Sequence, residues 1–156
     1  MSEYRPDEGS FYAGGARIAI VVARWNSNIT ENLLSGAQRA LTSHGIAESD
    51  IDLLRVPGAF ELPLACQKMA RTGTYDAIIA LGCVIRGGTP HFDYVCSETT
   101  RGIGEVALKE NLPVAFGLLT TDNLEQAEDR SGKNHENKGE EAALTALEMI
   151  SLFRQL

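Results

Sequence analysis

The sequence is poor in several features that would mark particular protein classes. Its three cysteines, Cys66, Cys83 and Cys96, are an odd number without CxxC spacing, which excludes a disulfide framework and suggests neither a zinc site nor a redox pair. Reduced thiols in a cytoplasmic protein are the expectation. No stretch approaches the roughly 20 consecutive apolar residues of a membrane helix, and the polar opening, residues 2–10, lacks the basic-then-apolar order of a signal peptide. Positive charge is scarce: 14 Lys and Arg against 21 Asp and Glu leave a net charge of −7. That balance argues against general nucleic-acid binding, while a local basic pocket stays open. Aromatic residues make up only 6% of the chain, with Trp25 the single tryptophan, so an aromatic at a strand end is informative.

At 156 residues the chain is read as one domain, residues 1–156 with 1–16 as an N-terminal arm. That length is enough to bury about 68–70% of the surface the unfolded chain would expose. A hydrophobic fraction of 44% and a charged fraction of 22% are ordinary for a soluble globular protein and exclude disordered and collagen-like classes.

Apolar runs alternate with helical patterns. Residues 17–23 form a nearly continuous β-branched run, suited to a strand covered on both faces of a parallel sheet. Asn28 and Glu31 stand three apart as in a helix-start box, ahead of Leu33, Ala37, Ala40 and Leu41 on one helix face. Gly45 marks that helix's end. Residues 51–56, 76–84 and 113–119 are the further strands, and helices follow each, the one after Pro90 carrying Phe92, Val95, Thr99, Ile103, Val106 and Ala107 on one side. A final helix sets Ala143, Ala146, Leu147, Ile150 and Phe153 on one side. Alternation of this kind predicts a three-layer α/β/α fold around a central four-stranded parallel sheet with right-handed crossovers. Residues 11–15 stand outside the pattern, either as an edge strand or as a strand given to a neighbouring subunit.

Ligands of open α/β sheets bind beyond the carboxyl ends of the strands. Those ends carry Trp25-Asn26, Ala59-Phe60-Glu61, the segment 83–91 and Thr120-Thr121. Trp25 and Phe60 suit stacking on a planar heterocycle, or packing in a core or interface. Glu61 sits where a carboxylate either caps a helix or bonds a ligand. The Arg86-Gly87-Gly88-Thr89 segment offers backbone N–H groups, a hydroxyl and a helix N-terminus, the parts of a phosphate site, although paired glycines are more often simple turns. His91 beside it is a candidate proton carrier. His44 and His135 read as surface residues. Arg130 and Lys138, in the last polar loop, suit a phosphate clamp and a point charge, or solvation.

In this order the motifs resemble the 6,7-dimethyl-8-ribityllumazine synthase family of riboflavin biosynthesis. The resemblance runs from about residue 17 to the C-terminus. It is carried by Val-Pro-Gly-Ala-Phe-Glu-Leu-Pro (56–63), Gly-Cys-Val-Ile-Arg-Gly-Gly-Thr-Pro-His-Phe-Asp-Tyr-Val (82–95), Phe-Gly-Leu-Leu-Thr-Thr-Asp (116–122) and Asn-Lys-Gly (137–139). It implies a flavodoxin-like fold and a condensation of 5-amino-6-(D-ribitylamino)uracil with 3,4-dihydroxy-2-butanone 4-phosphate, without metal or organic cofactor. Trp25 would lie against the pyrimidine, where the family usually has an aromatic residue, often Phe. Ala59, Phe60, Glu61, Cys83, Val84 and Ile85 would hold the ring and ribityl chain. Gly88 and Thr89 would bind phosphate with Arg130, and His91 would transfer protons. Phe116, Arg130 and Lys138 would enter from the neighbouring subunit of a homopentamer.

One stretch departs from the family. Many members that form sixty-subunit icosahedral shells have Gly-Thr-Lys-Ala-Gly-Asn-Lys-Gly where this chain has Gly-Lys-Asn-His-Glu-Asn-Lys-Gly (132–139), so a pentamer is expected while the shell is left open. Three rival readings are a module that holds FMN or another flavin without chemistry, a shell-forming structural protein, and an enzyme with Cys83 as nucleophile. The first does not account for His91, Arg130 and Lys138 together, and the third lacks an evident orienting acid.

Overall fold

The β-branched run Ile18–Ala23 is buried at every position, as expected of a central parallel strand. The computed structural model describes residues 12–132 and 136–156. It shows β1 (Ile18–Ala23), α1 (Ser27–Ser43), β2 (Ile51–Val56), α2 (Leu62–Ala70), β3 (Ala77–Ile85), α3 (His91–Glu110), β4 (Val114–Thr121), α4 (Leu124–Asp129) and α5 (Lys138–Phe153). The strands form one parallel sheet in the order β2-β1-β3-β4, covered by helices on both faces. This is the expected three-layer α/β fold.

Side-chain alternation along β1 divides the core in two. Ile18, Ile20 and Val22 pack with Leu33, Ala37 and Leu41 of α1 and with Ala143 and Leu147 of α5. Ala19, Val21 and Ala23 face Leu62 and Cys66 of α2 and Ile103 and Val106 of α3. β2 is an edge strand with Leu53 and Leu54 exposed. No helix among the described residues is long and apolar enough to cross a membrane.

The join between α1 and α5 explains the Asn-Lys-Gly motif. The Asn137 side chain accepts the Glu140 N–H at 3.0 Å, capping α5, and donates to the Asn32 carbonyl at 3.1 Å. A Cβ on Gly139 would lie 2.0 Å from the Leu33 carbonyl oxygen, so only glycine lets α5 approach α1 this closely.

Three local expectations meet a different outcome. Asn28 and Glu31 do not form a helix-start box: α1 begins at Ser27 after Asn26, which holds a left-handed conformation (φ 61°, ψ 46°) with no side-chain cap, and Glu31 pairs with Arg55 across to β2. Residues 12–15 form a turn, closed by the Ala16 N–H on the Ala13 carbonyl and tied to α5 by the Tyr12 N–H on Ser151 Oγ, rather than an edge strand. Residues 1–11 lie outside the described residues, and so does His135. Phe153, expected on the buried side of the last helix, is exposed at its end.

Candidate functional site

The strand order reverses between β1 and β3, and there the carboxyl ends splay to leave a crevice. β3 pairs with β1 only as far as Leu81, opposite Val22, but continues to Ile85 along β4. Residues 83–85 therefore have no strand beside them on the β1 side. The Asn26 side chain reaches across and donates to the Cys83 carbonyl at 2.9 Å, which gives its left-handed backbone a structural purpose.

A cavity of about 760 Å³ opens at this point, lined by residues from the ends of β1 and β3, from the turn after β2 and from the first two turns of α3. Its volume lies within the usual span of small-molecule sites, about 300–1,000 Å³. Of the residues singled out in the sequence, Trp25, Ala59, Phe60, Glu61, Cys83, Val84, Ile85 and His91 line it. Trp25 is 65% exposed and Phe60 is exposed too, so neither is a core aromatic. Glu61 caps its turn: Oε2 accepts the Gly58 N–H at 3.0 Å. His91 opens α3 and is exposed at the cavity wall.

The wall also includes Asn26, Tyr94, Val95, Ser97 and Glu98. Positions 91, 94, 95 and 98 follow the i, i+3, i+4, i+7 spacing of a single helix face beside the buried Phe92, Thr99, Ile103 and Val106; Val95, expected on the buried stripe, is half-buried between the core and the cavity. Glu98 accepts two hydrogen bonds from Arg101, at 2.6 and 3.0 Å, and this pairing holds its carboxyl below the ordinary range, so it stays ionised near neutral pH.

The thiol at the strand end is not activated. Burial, followed by the neighbouring Cys96, pushes Cys83 up to about 11, and burial pushes Cys66 up to about 12. A nucleophilic cysteine requires the opposite environment. Among the described residues no group of three or more His, Cys, Asp or Glu is placed to hold a metal ion.

Arg86 is occupied by the fold. Its Nε donates to Asp122 at 2.9 Å and its Nη1 to Asp93 at 3.4 Å, while the guanidinium lies 4.4 Å from the centre of the Phe92 ring. The Asp122 bond, first among these pairings, raises its already high pKa. Gly88 and Thr89 follow in an exposed loop beside the cavity and do not line it.

Phe116, Arg130 and Lys138 are not in this chain's cavity. Phe116 pairs with Ala80, whereas Cys83, Val84 and Ile85 pair with Leu119, Thr120 and Thr121. The phenyl ring therefore starts three to five positions short of the wall, about 10–17 Å along the strand. It is 48% exposed on the outer strand of the sheet. Arg130 follows α4 and donates from Nη1 to the Gln126 carbonyl at 3.0 Å. Lys138 opens α5 between Glu136 at 2.5 Å and Glu141 at 2.9 Å. Burial works against its charge, but the two carboxylates outweigh it and leave the pKa raised.

Among the described residues no Lys or Arg lines the cavity, and two carboxylates do. The site thus offers a flat aromatic platform, an unpaired strand edge and an imidazole, beside a glycine loop whose own arginine is neutralised. Residues 15–154 match the family model of 6,7-dimethyl-8-ribityllumazine synthase.

Proposed function

The chain belongs to the 6,7-dimethyl-8-ribityllumazine synthase family of transferases, and from that premise we propose that it condenses 5-amino-6-(D-ribitylamino)uracil with 3,4-dihydroxy-2-butanone 4-phosphate. The products are 6,7-dimethyl-8-ribityllumazine, inorganic phosphate and water. The observation that carries this reading is the joining of Trp25, the end of β3 at residues 83–85 and His91 around one cavity. The pyrimidine lies with its face on the indole and its amide edge along the end of β3, and Ala59, Phe60 and Glu61 enclose the ribityl chain.

The ring amine of the pyrimidine attacks the ketone of the four-carbon substrate. Loss of water gives an imine, elimination of phosphate follows, and the second amine closes the new ring on the remaining carbonyl with loss of a second water. Holding two reactants in attack geometry supplies much of the acceleration, since effective molarities reach about 10⁵–10⁸ M in well-oriented systems. His91, at the cavity wall, moves protons in the condensation and elimination steps and contributes a further factor of about 10²–10⁴. Gly88 and Thr89 hold the phosphate through backbone N–H and hydroxyl groups.

A phosphate also calls for a cation, and the cavity wall has none among the described residues. The reading therefore brings Arg130, with Lys138 and Phe116, from the edge of an adjacent copy in a homopentamer. The exposure of Phe116 on the outer strand and of Leu53 and Leu54 on the opposite edge supports an assembly that covers both edges. Whether pentamers join into a shell is read by light scattering. The enzyme is proposed to work in the cytoplasm with no metal or organic cofactor.

The direct test is to mix purified protein with the two substrates and follow lumazine fluorescence. Lumazine formed with one phosphate released per turnover is the expected result. Protein that carries stoichiometric flavin and forms no lumazine would instead support a flavin-holding module.

A further inference from the structure

Trp25 owes its place to what Gly58 lacks. An ideal Cβ on Gly58 would sit 2.3 Å from Cε3 and 2.5 Å from Cζ3 of the indole, so the six-membered ring lies directly over the glycine. The backbone at Gly58 does not itself demand glycine: φ −143° and ψ −175° are extended values open to any residue. The ring is the reason for the missing side chain.

The two backbones are tied together. Trp25 N–H donates to the Pro57 carbonyl at 3.0 Å, and Arg24 N–H donates to the Val56 carbonyl at 2.8 Å. The Gly58 N–H is held by Glu61 Oε2 at 3.0 Å, and its carbonyl accepts the Glu61 N–H at 3.3 Å. Neither backbone has room to yield, whereas the indole, 65% exposed and facing the cavity, does. A methyl group at position 58 would thus move the ring and leave the fold in place.

We propose that Gly58 is a positioning residue, which sets the height and tilt of the Trp25 indole against the ring of the pyrimidine substrate. This role rests on the function proposed above. It also gives Glu61 a second task, since its carboxylate fixes the glycine on which the indole lies.

Trp25 is the only tryptophan, so intrinsic fluorescence reports on this contact alone among indoles. Gly58→Ala is expected to shift Trp25 emission and its quenching by acrylamide, and to raise the KM for the pyrimidine about tenfold. The KM for the phosphate substrate should stay within about twofold. Affinity for the product lumazine, titrated directly, should fall in parallel, by about tenfold or 1.4 kcal/mol. In a Trp25→Ala background the same Gly58→Ala change should add nothing, because the two changes act through one contact.

Circular dichroism and melting of Gly58→Ala check that the fold survives. Should it fail to fold, Glu61→Ala tests the same anchor, with a smaller shift in emission and KM expected, restored by Glu61→Gln. Unchanged fluorescence and affinity in a folded Gly58→Ala protein, or an equal loss in the Trp25→Ala background, would overturn the role of Gly58 alone. A wild type that neither makes nor binds lumazine would overturn the functional reading and this role with it.

Discussion

The cavity wall under Trp25 and the edge that carries Arg130 belong to one chain but are built on different principles. The wall gathers the ends of β1 and β3, the turn after β2 and one face of α3, so parallel topology alone brings its residues together. It is largely apolar and contains no cation among the described residues. The edge, from β4 through α4 to the start of α5, holds Phe116, Arg130 and Lys138 and sends none of them into the cavity. The cations of both regions are already paired: Arg86 with Asp93 and, across to the edge, with Asp122, and Lys138 with Glu136 and Glu141. Neither region alone has what the proposed reaction, which expels phosphate, requires. The proposed function accounts for the difference by dividing the site between two copies, with the heterocycle on the wall and the anion held partly by the edge.

Removing the wall's proposed proton carrier should have the largest effect. His91→Ala is expected to lower kcat by about 10²–10⁴-fold while leaving lumazine affinity nearly intact, as read by steady-state kinetics and titration. Arg130→Ala should act on the other side of the comparison, raising the KM for the phosphate substrate about 100-fold, close to 2.7 kcal/mol, with little change for the pyrimidine. Equal effects on both substrates would remove the distinction between wall and edge.

Next comes the seat of the edge. Gly139→Ala drives a Cβ against the Leu33 carbonyl and should destabilise the fold by about 1–3 kcal/mol, read as a lowered denaturation midpoint. Backbone faces backbone at this position, so the structure cannot yield as it does at Trp25.

The smallest effect is expected from thiol modification at the wall. With Cys83 raised to about 11, only about one thiol in a thousand is ionised at pH 8, so iodoacetamide should label it slowly and activity should persist. The same shifts fix a sign for stability. The Cys66 and Cys83 thiols lie above their ordinary value of 9.0 in the fold, so their contribution is fully present below about pH 9 and is lost as the pH rises toward 11 and 12. Chemical denaturation between pH 8 and 11 reads this loss, and greater stability at the alkaline end would contradict it.

The wall was legible in the sequence because its cause is local. A buried strand must alternate with helices, strand ends in a parallel sheet share one edge, and the residues just past those ends therefore meet. Trp25, Glu61, Cys83 and His91 were found in that way. Asn26 was harder to read, since its role depends on β3 outrunning β1. Tyr94 and Glu98 lay on a helix face next to the one that the buried stripe drew attention to. The helix-start box at Asn28 failed because the left-handed turn at Asn26 places the helix start differently. Asn137 and Gly139 read in the sequence only as part of a motif, and their structural role follows from the packing of α5 on α1. How the edge would meet the wall in the proposed assembly depends on contacts between chains, which no periodicity within one chain encodes.

Co-assembly of the two damaged variants tests the divided site most directly. His91→Ala keeps an intact edge and Arg130→Ala keeps an intact wall, so in an evenly mixed oligomer about one interface in four joins an intact wall to an intact edge. The account predicts that co-expressed variants regain about a quarter of wild-type lumazine-forming activity at low phosphate-substrate concentration. Activity no greater than the average of the two separate variants would contradict it and return the whole site to a single chain.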